Sequence, residues 1–553
     1  MPTIKLIEFF IPLFLVLLLI GCKNEIDKSE IYEITPGGRF KIILDDPVET
    51  LDPKNIIYRS DWKASFLIYE GLVGYSDSLN KIEPLLAKRW EIEDDGHLVR
   101  FHLRENVWFH DDPCFPDGKG RRVNADDVVF MLERLAHPVL PSYYYSLFSN
   151  TVKGISEFHS GIVDMIEGIK VIDDLTVEFH LDKPFAAFLK LLATPAAYII
   201  PREAVNHYGN DFYRHPVGTG PFRLVVWKPI EELVFVKNEK YWAKDSFGHA
   251  LPYLDEISIR FRKEGVVSVV EFLKGNNHVL RLDKKGLDNL FSDPGISEHV
   301  DVYESIMDLG VRFYGIRQTP GSVLADHKLL RRAIAMSYDR RFLEDDLQDR
   351  VVTSNSFVPE ALLSNPELRY YPFNQRTAMQ MIGGLDLQNV SIKIASSIYC
   401  PDLEELEKAI TALGLTVDVT VQPMNYYGYI RSGEPDIFRV SMVPSFPDPI
   451  DIYSLLYSKS PPTLNLMGYH NPEFDAVFEQ SLVEQDPEKR NELFLHLERI
   501  IYDDVPVLLL SHARPGYYVL PAYVKGFSLR YMFPDYRKIW FSDSYAAENK
   551  NQE

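Results

Sequence analysis

Two stretches of the chain alternate apolar and polar residues with a period of two. In "LTVEFHL" the apolar positions are Leu175, Val177, Phe179 and Leu181; in "LTVDVTV" they are Leu415, Val417, Val419 and Val421. Each predicts a β-strand with one face turned to a core. Two other stretches carry helical spacing. Asn124 is placed to cap a helix whose apolar face is Val128, Met131, Leu132 and Leu135. Asp486-Pro487 opens another, with Leu493, Phe494, Leu497, Ile500 and Ile501 along one stripe. Strands and helices intermix along the whole chain, so the predicted class is α/β or α+β. At 553 residues the chain exceeds what one hydrophobic core holds, and two or three lobes are expected.

The N-terminal pattern differs. Lys5 precedes an apolar run, Leu6 to Ile20, broken only by Glu8. The run is shorter than the ~20 residues of a membrane-spanning helix and has the length of a signal-peptide apolar region. It ends in Leu19-Ile20-Gly21-Cys22 and gives way to polar Lys23-Asn24-Glu25. This resembles the lipobox of bacterial lipoproteins, which implies cleavage before Cys22 and lipid attachment to its thiol. Residues 1–21 then read as signal peptide. Residues 22–35 read as a tether, running into Pro36-Gly37-Gly38.

The net charge of -21 and the lack of a basic stripe exclude a duplex-binding protein. The 31 tyrosines are more than a core needs and suit a wet, adaptable binding surface. With Cys22 lipidated, Cys114 and Cys400 could form one disulfide, but they lie far apart in sequence and are expected to stay unpaired.

Candidate chemistry is sparse. "FHDDPCFPDG" (109–118) gathers His110, Asp111, Asp112, Cys114 and Asp117, which a metal would accept. Its Pro113, Pro116 and Gly118 force turns, so a solvated loop is the alternative. "VGTGPF" (217–222) contains a G-x-G without the third glycine of a dinucleotide fingerprint, and its glycines are expected to permit a tight turn. His159 and His512 stand alone. No G-x-S-x-G, H-E-x-x-H, C-x-x-C or P-loop pattern occurs. The expectation is a protein that is not an enzyme and carries no metal or cofactor.

A series of motifs then lines up in order. It runs "DDPVETLDPKN", "IYEGLVGY", "IEPLLAKRWEIEDDGHLVRFHLRENVWFHDD" and "VNADDVVFMLERLAHP", then "HPVGTGPFRL", "NEKYW" and "LPYLDEISIRF". It continues with "DHKLLRRAIAMSYDRR", "SFPDPIDIYSLLYS" and the stretch from Tyr469 to Leu510. The series covers nearly the whole chain after the leader. It resembles the extracytoplasmic solute-binding proteins of family 5, the oligopeptide-, dipeptide- and nickel-binding proteins of ABC transporters. The resemblance makes "FHDD" a turn between strand and helix, with "PCFPDGKGRR" a small insertion.

The resemblance implies the periplasmic-binding-protein type II (class C) fold: two α/β lobes around a ligand, plus an extra α+β domain. Lobe one would comprise 36–82, 204–302 and 510–545, the extra domain 83–203, and lobe two 303–509. It implies a lipid-anchored, extracytoplasmic, monomeric receptor that passes an oligopeptide or peptide-like solute to ABC permease subunits, with no nucleic acid involved. Nickel chelates, haem and oligosaccharides are the alternative solutes, and a sensor uncoupled from transport is the alternative role. In peptide-binding members an arginine takes the ligand carboxylate and an aspartate takes the α-amino group. Arg439 falls at the arginine position. The aspartate position holds Ser445, next to Phe446, which puts α-amino recognition by the usual group in doubt. Tyr144, Glu70 and Tyr314 fall near the cleft by the same resemblance.

Overall fold

Six strands from the second half of the chain build the largest sheet, in the order Val351–Thr353, Val507–Ala513, Val311–Ile316, Ile437–Met442, Ser391–Ser396, Thr416–Val421. In this computed structural model the described residues are 34–542, except 77–80, 140–141, 143, 150, 263–267, 306–308, 344–350, 364–367 and 531–532. The expected signal peptide, Cys22 and all but the end of the tether lie outside them. Residues Pro36–Glu553 form a compact unit of their own. No helix among the described residues is long and apolar enough to cross a membrane.

In the six-stranded sheet, Ser391–Ser396 runs parallel to both Thr416–Val421 and Ile437–Met442; the remaining pairs are antiparallel. The first half of the chain makes other sheets. Arg39–Leu44, Glu256–Phe261, Glu232–Lys237 and Phe222–Lys228 form one, and Ala87–Glu93, Leu98–Leu103, Thr176–His180 and Ile169–Asp173 form an antiparallel second. A three-stranded sheet orders Leu280–Leu282, Tyr517–Pro521 and Val300–Glu304.

The chain passes between its two halves twice, after Glu304 and after Ala513. There the backbone N–H of Ser305 donates to the Gly516 carbonyl at 2.7 Å and that of Gly516 donates to Ser305 Oγ at 3.0 Å, so the crossings are tied side by side. The strand Val507–Ala513 runs unbroken through residue 510.

The periodic segments fold as their spacing predicts. Asn124 caps Ala125–Leu135 in a reciprocal box with Asp127, and Val128, Met131, Leu132 and Leu135 are buried. Asp486 caps Pro487–Asp504, which buries Phe494, Leu497, Ile500 and Ile501. In Thr176–His180, Val177 and Phe179 are fully buried, Phe179 edge-on to Phe101 at 5.7 Å. Thr416–Val421 differs: Val417 and Val419 are half-buried and Val421 is exposed. It is the edge strand, so alternation fixes its faces but half its cover is missing.

The glycines of "VGTGPF" do not make a left-handed turn; neither has a positive φ. They permit close backbone approach. A Cβ on Gly218 would lie 2.1 Å from the Ile68 carbonyl oxygen. The segment is held there by Gly220 N–H donating to Ile68 O at 2.8 Å, while His110 donates Nε2–H to Gly220 O at 2.9 Å. Gly218→Ala is therefore expected to cost about 2–3 kcal/mol, because the nearest clashing group, the Ile68 carbonyl, is backbone and cannot rotate away, and the next, the Tyr69 ring, is fully buried. Urea unfolding of the variant against wild type reads this directly.

His110 thus serves the fold. It is buried, and burial pushes its pKa down to about 4. The other groups of "FHDDPCFPDG" diverge. Asp111 accepts from Gly120 N–H, Lys119 and Lys240, while Asp112 accepts from Cys114 N–H and Tyr208. Asp117 is exposed, and Cys114 and Cys400 are free thiols. Among the described residues, no group of three His, Cys, Asp or Glu side chains converges as a metal would require.

Candidate functional site

The three parallel strands end on the same side of the six-stranded sheet, at Ser396, Val421 and Met442. Crevices beyond the carboxyl ends of parallel strands are where open α/β sheets place ligands. A cavity of about 470 Å³ lies there, lined by Ser397, Asn425, Tyr426, Tyr427, Arg431 and Arg439 among others. Large apolar side chains stand out in solvent just past the strand ends: Ile398, Tyr399, Met424 (80% exposed) and Tyr427. Apolar surface clustered beside a cavity marks a binding face.

The strand Ile437–Met442 carries the site. One edge pairs with Val311–Ile316 along its full length. The other pairs with Ser391–Ser396 only at Ile437 and Phe438. Beyond that, Tyr426 donates its hydroxyl to Arg439 O at 2.8 Å, and Ser441 lies exposed on the cavity wall. A short strand edge is left open, the geometry that accepts an extended backbone as an added strand.

Arg439 and Tyr314 sit opposite each other in this ladder. Both reach Asp402, near the start of the helix Pro401–Thr411: Arg439 Nε donates to Asp402 Oδ2 at 2.7 Å and the Tyr314 hydroxyl donates to the same oxygen at 3.1 Å. Burial disfavours the Arg439 charge, yet Asp402 outweighs it and the pKa is raised. Nε faces Asp402; among the described residues no other protein acceptor meets the guanidinium, which lines the cavity. That leaves its terminal nitrogens for a bidentate partner. Tyr314 is fully buried beside it and braces Asp402.

Ser445 and Phe446 follow the strand. The Ser445 backbone N–H donates to Asp451 Oδ2 at 2.5 Å. Phe446 is buried. Asp451 therefore fixes the conformation of the segment. Burial raises its pKa to about 7, against the Ser445 N–H, with Asp448 adding to the rise. Next to it Asp448, fully buried, accepts from both terminal nitrogens of Arg490 at 2.8 Å and from Lys190 at 3.0 Å. Burial opposes its charge, but the two cations hold its pKa below the usual value.

The Asp451 shift has a pH consequence. Its folded pKa lies above the unfolded one, so the folded state holds a proton between about pH 4 and pH 7 that the unfolded chain does not. Stability from this group falls as pH rises through that window. Glu498, raised to about 7 by burial, acts in the same sense, while the buried His110, His278 and His512, lowered to about 4, 3 and 4, act in the opposite one. The difference between Asp451→Asn and wild type isolates the group: it is expected to shift in favour of the variant by about 2–3 kcal/mol between pH 5 and pH 8. Unfolding measured at both pH values checks it.

The remaining expected residues serve the other half of the molecule. Glu70 is buried, and its carboxylate accepts from Thr219 (3.0 Å), Tyr241 (2.8 Å) and Trp242 (3.0 Å). It joins the Gly218 segment to the "NEKYW" loop and is spent inside the first half. Tyr144 is buried too. Its hydroxyl donates to Ile56 O at 2.6 Å and accepts from Trp62 Nε1 at 3.3 Å, bracing the segment that exposes Ile57 and Tyr58. Neither stands in the cavity described above.

Sequence reading missed Asp402, Asp451, Tyr426, Tyr427 and Arg431. "CPDLEEL" signals a helix start with an early acid, and "QPMNYYGYIR" an aromatic-rich loop after a strand. Neither signal names a ligand.

Residues 81–463, most of the chain, match the family described as bacterial extracellular solute-binding proteins, family 5 Middle. The heme-binding protein A of Haemophilus influenzae is 25% identical over 86% of this chain and 87% of its own length. The dipeptide-binding protein of Escherichia coli is 24% identical over 81% and 84%. In structure, the ABC transporter-associated periplasmic binding protein DppA of Helicobacter pylori, solved with the peptide STSA, superimposes with a TM-score of 0.74 over 92% of this chain and 99% of that one, at 21% identity.

Proposed function

Because this chain belongs to family 5 of the bacterial extracellular solute-binding proteins, we propose that it captures a short peptide at the strand-end cavity and delivers it to an ABC permease. The peptide's carboxylate pairs with the terminal nitrogens of Arg439. Its backbone adds to the open edge at Ser441, and its side chains rest on Tyr426, Tyr427 and Met424. Ser445 and Phe446 bound this path, held in place by Asp451. The carrying observation is Arg439: a half-buried guanidinium, neutralised on one side by Asp402 and lining a cavity on the other.

Among the described residues that line the cavity none is acidic, and the amino end of the solute is bound by groups other than a cavity carboxylate. The two halves, lobe one with its extra domain (36–302 and the end of the chain) and lobe two (from 303 through Ala513), close over the solute about the paired crossings at Ser305 and Gly516. The chain performs no covalent chemistry, acts as a monomer, and is held outside the cytoplasm by lipid on Cys22, two acyl signals being needed for a stable anchor. The relatives named for dipeptide and peptide support the peptide reading; the heme-binding relative keeps a non-peptide solute as the rival.

Native mass spectrometry of protein purified without added solute tests this. A ladder of bound masses fitting two- to five-residue peptides is expected. One discrete non-peptide mass, such as haem or a nickel chelate, would keep the family and remove the peptide.

A further inference from the structure

One contact joins the two halves of the chain through buried charge. The short helix Phe188–Leu192 belongs to the first half: Phe188 packs on Phe179 at 5.5 Å, and Tyr75 donates its hydroxyl to the Lys190 carbonyl at 2.5 Å. From this helix the Lys190 ammonium crosses to the second half. It donates to Asp448 Oδ2 at 3.0 Å and to the Pro447 carbonyl at 3.0 Å. Both acceptors lie two to three residues past Ser445. Asp448 keeps Arg490 as a bidentate partner within its own half. Nearby, the Ala186 N–H donates to the Leu482 carbonyl at 2.9 Å, again across the two halves.

We infer that Lys190 is an interlobe latch and a positioning residue for solute capture. It docks on the segment that ends the binding strand, so closing the lobes and setting that segment are one event. The chemistry fits a latch more than a permanent weld. Arg490 alone gives Asp448 a bidentate counter-charge, so withdrawing Lys190 leaves no orphan anion in the second half. Lys190 itself retains partial access to water, its side chain 18% exposed, and can be rehydrated when it leaves. A partner that is optional for stability yet specific in geometry shifts an equilibrium between two arrangements; it does not hold the fold together.

The latch itself needs only the two halves and their contact; its coupling to solute rests on the reading of residues 441–446 as the binding path. Small-angle scattering of residues 36–553, a compact unit, compares wild type with Lys190→Met in the absence and presence of the tetrapeptide Ser-Thr-Ser-Ala. The expected result is a larger radius of gyration for the variant without peptide, an unchanged melting temperature, and peptide affinity about tenfold weaker through faster release. Lys190→Arg, which can still reach both acceptors, is expected to restore compactness and affinity. If Lys190→Met does not melt cooperatively, Lys190→Gln, which keeps a donor for Pro447 O, takes its place. Equal radii for wild type and the charge-deleted variant would overturn the latch. Expansion of the variant with no peptide binding by either protein supports the latch and removes the peptide reading.

Discussion

Arg439→Met is expected to weaken binding of a carboxylate-bearing peptide by at least about 100-fold. Removing one partner of a desolvated charge pair in a binding site costs several kcal/mol, and the loss shows mainly in the rate of release. The variant also strips Asp402 of its cation. Among the described residues Asp402 then keeps only the Tyr314 hydroxyl for that oxygen, so a stability loss accompanies the binding loss. The two effects separate with a second change. Arg439→Met combined with Asp402→Asn removes the orphan charge, so it is expected to recover most of the stability and none of the affinity. Arg439→Lys is not a conservative replacement here. One ammonium cannot hold Asp402 and offer a planar fork to the solute at the same time. Titration calorimetry and chemical unfolding on wild type and these three variants check both parts.

The largest effect on stability is expected at Arg490. Its guanidinium gives two bonds to fully buried Asp448, donates to Ser481 O at 2.9 Å and lies over the Phe494 ring at 4.9 Å. Arg490→Ala leaves Asp448 with Lys190 as its one cation among the described residues and is expected to destabilise the chain by about 3–5 kcal/mol. Asp448→Asn added to Arg490→Met is expected to be less damaging than Arg490→Ala alone, since no buried carboxylate that has lost its bidentate partner stays behind. Guanidinium unfolding of the single and double variants measures this. A loss below ~1 kcal/mol for Arg490→Ala would mean that the buried pair is not what holds the segment.

The sequence made the scaffold legible where periodicity and capping agree. Asn124 with Asp127, and Asp486 with Pro487, are local signals that tertiary contacts reinforce. The edge position of Thr416–Val421 was not legible, because alternation states which residues share a face and says nothing of what covers it. The site was legible in part. Arg439 and Tyr314 were singled out separately, and the ladder places them side by side on one carboxylate. That carboxylate, Asp402, comes from a helix 37 residues earlier, a pairing no local pattern encodes. Glu70 and Tyr144 were drawn toward the cleft by motif position. The structure gives their polar atoms partners inside the first half, which motif position cannot reveal. The histidine of "FHDDPCFPDG" is bound to Gly220, a contact made across 110 residues, and only the fold separates it from its acidic neighbours.

The most direct test of the central claim is a matched titration. A short peptide that co-purifies with the protein, or Ser-Thr-Ser-Ala where none is recovered, is compared with the same peptide bearing a C-terminal amide. If Arg439 receives the solute carboxylate at the strand-end cavity, the amide binds at least about 100-fold more weakly, and Arg439→Met no longer tells the two apart. Equal affinity for acid and amide would contradict the account and move the solute's anchor away from Arg439.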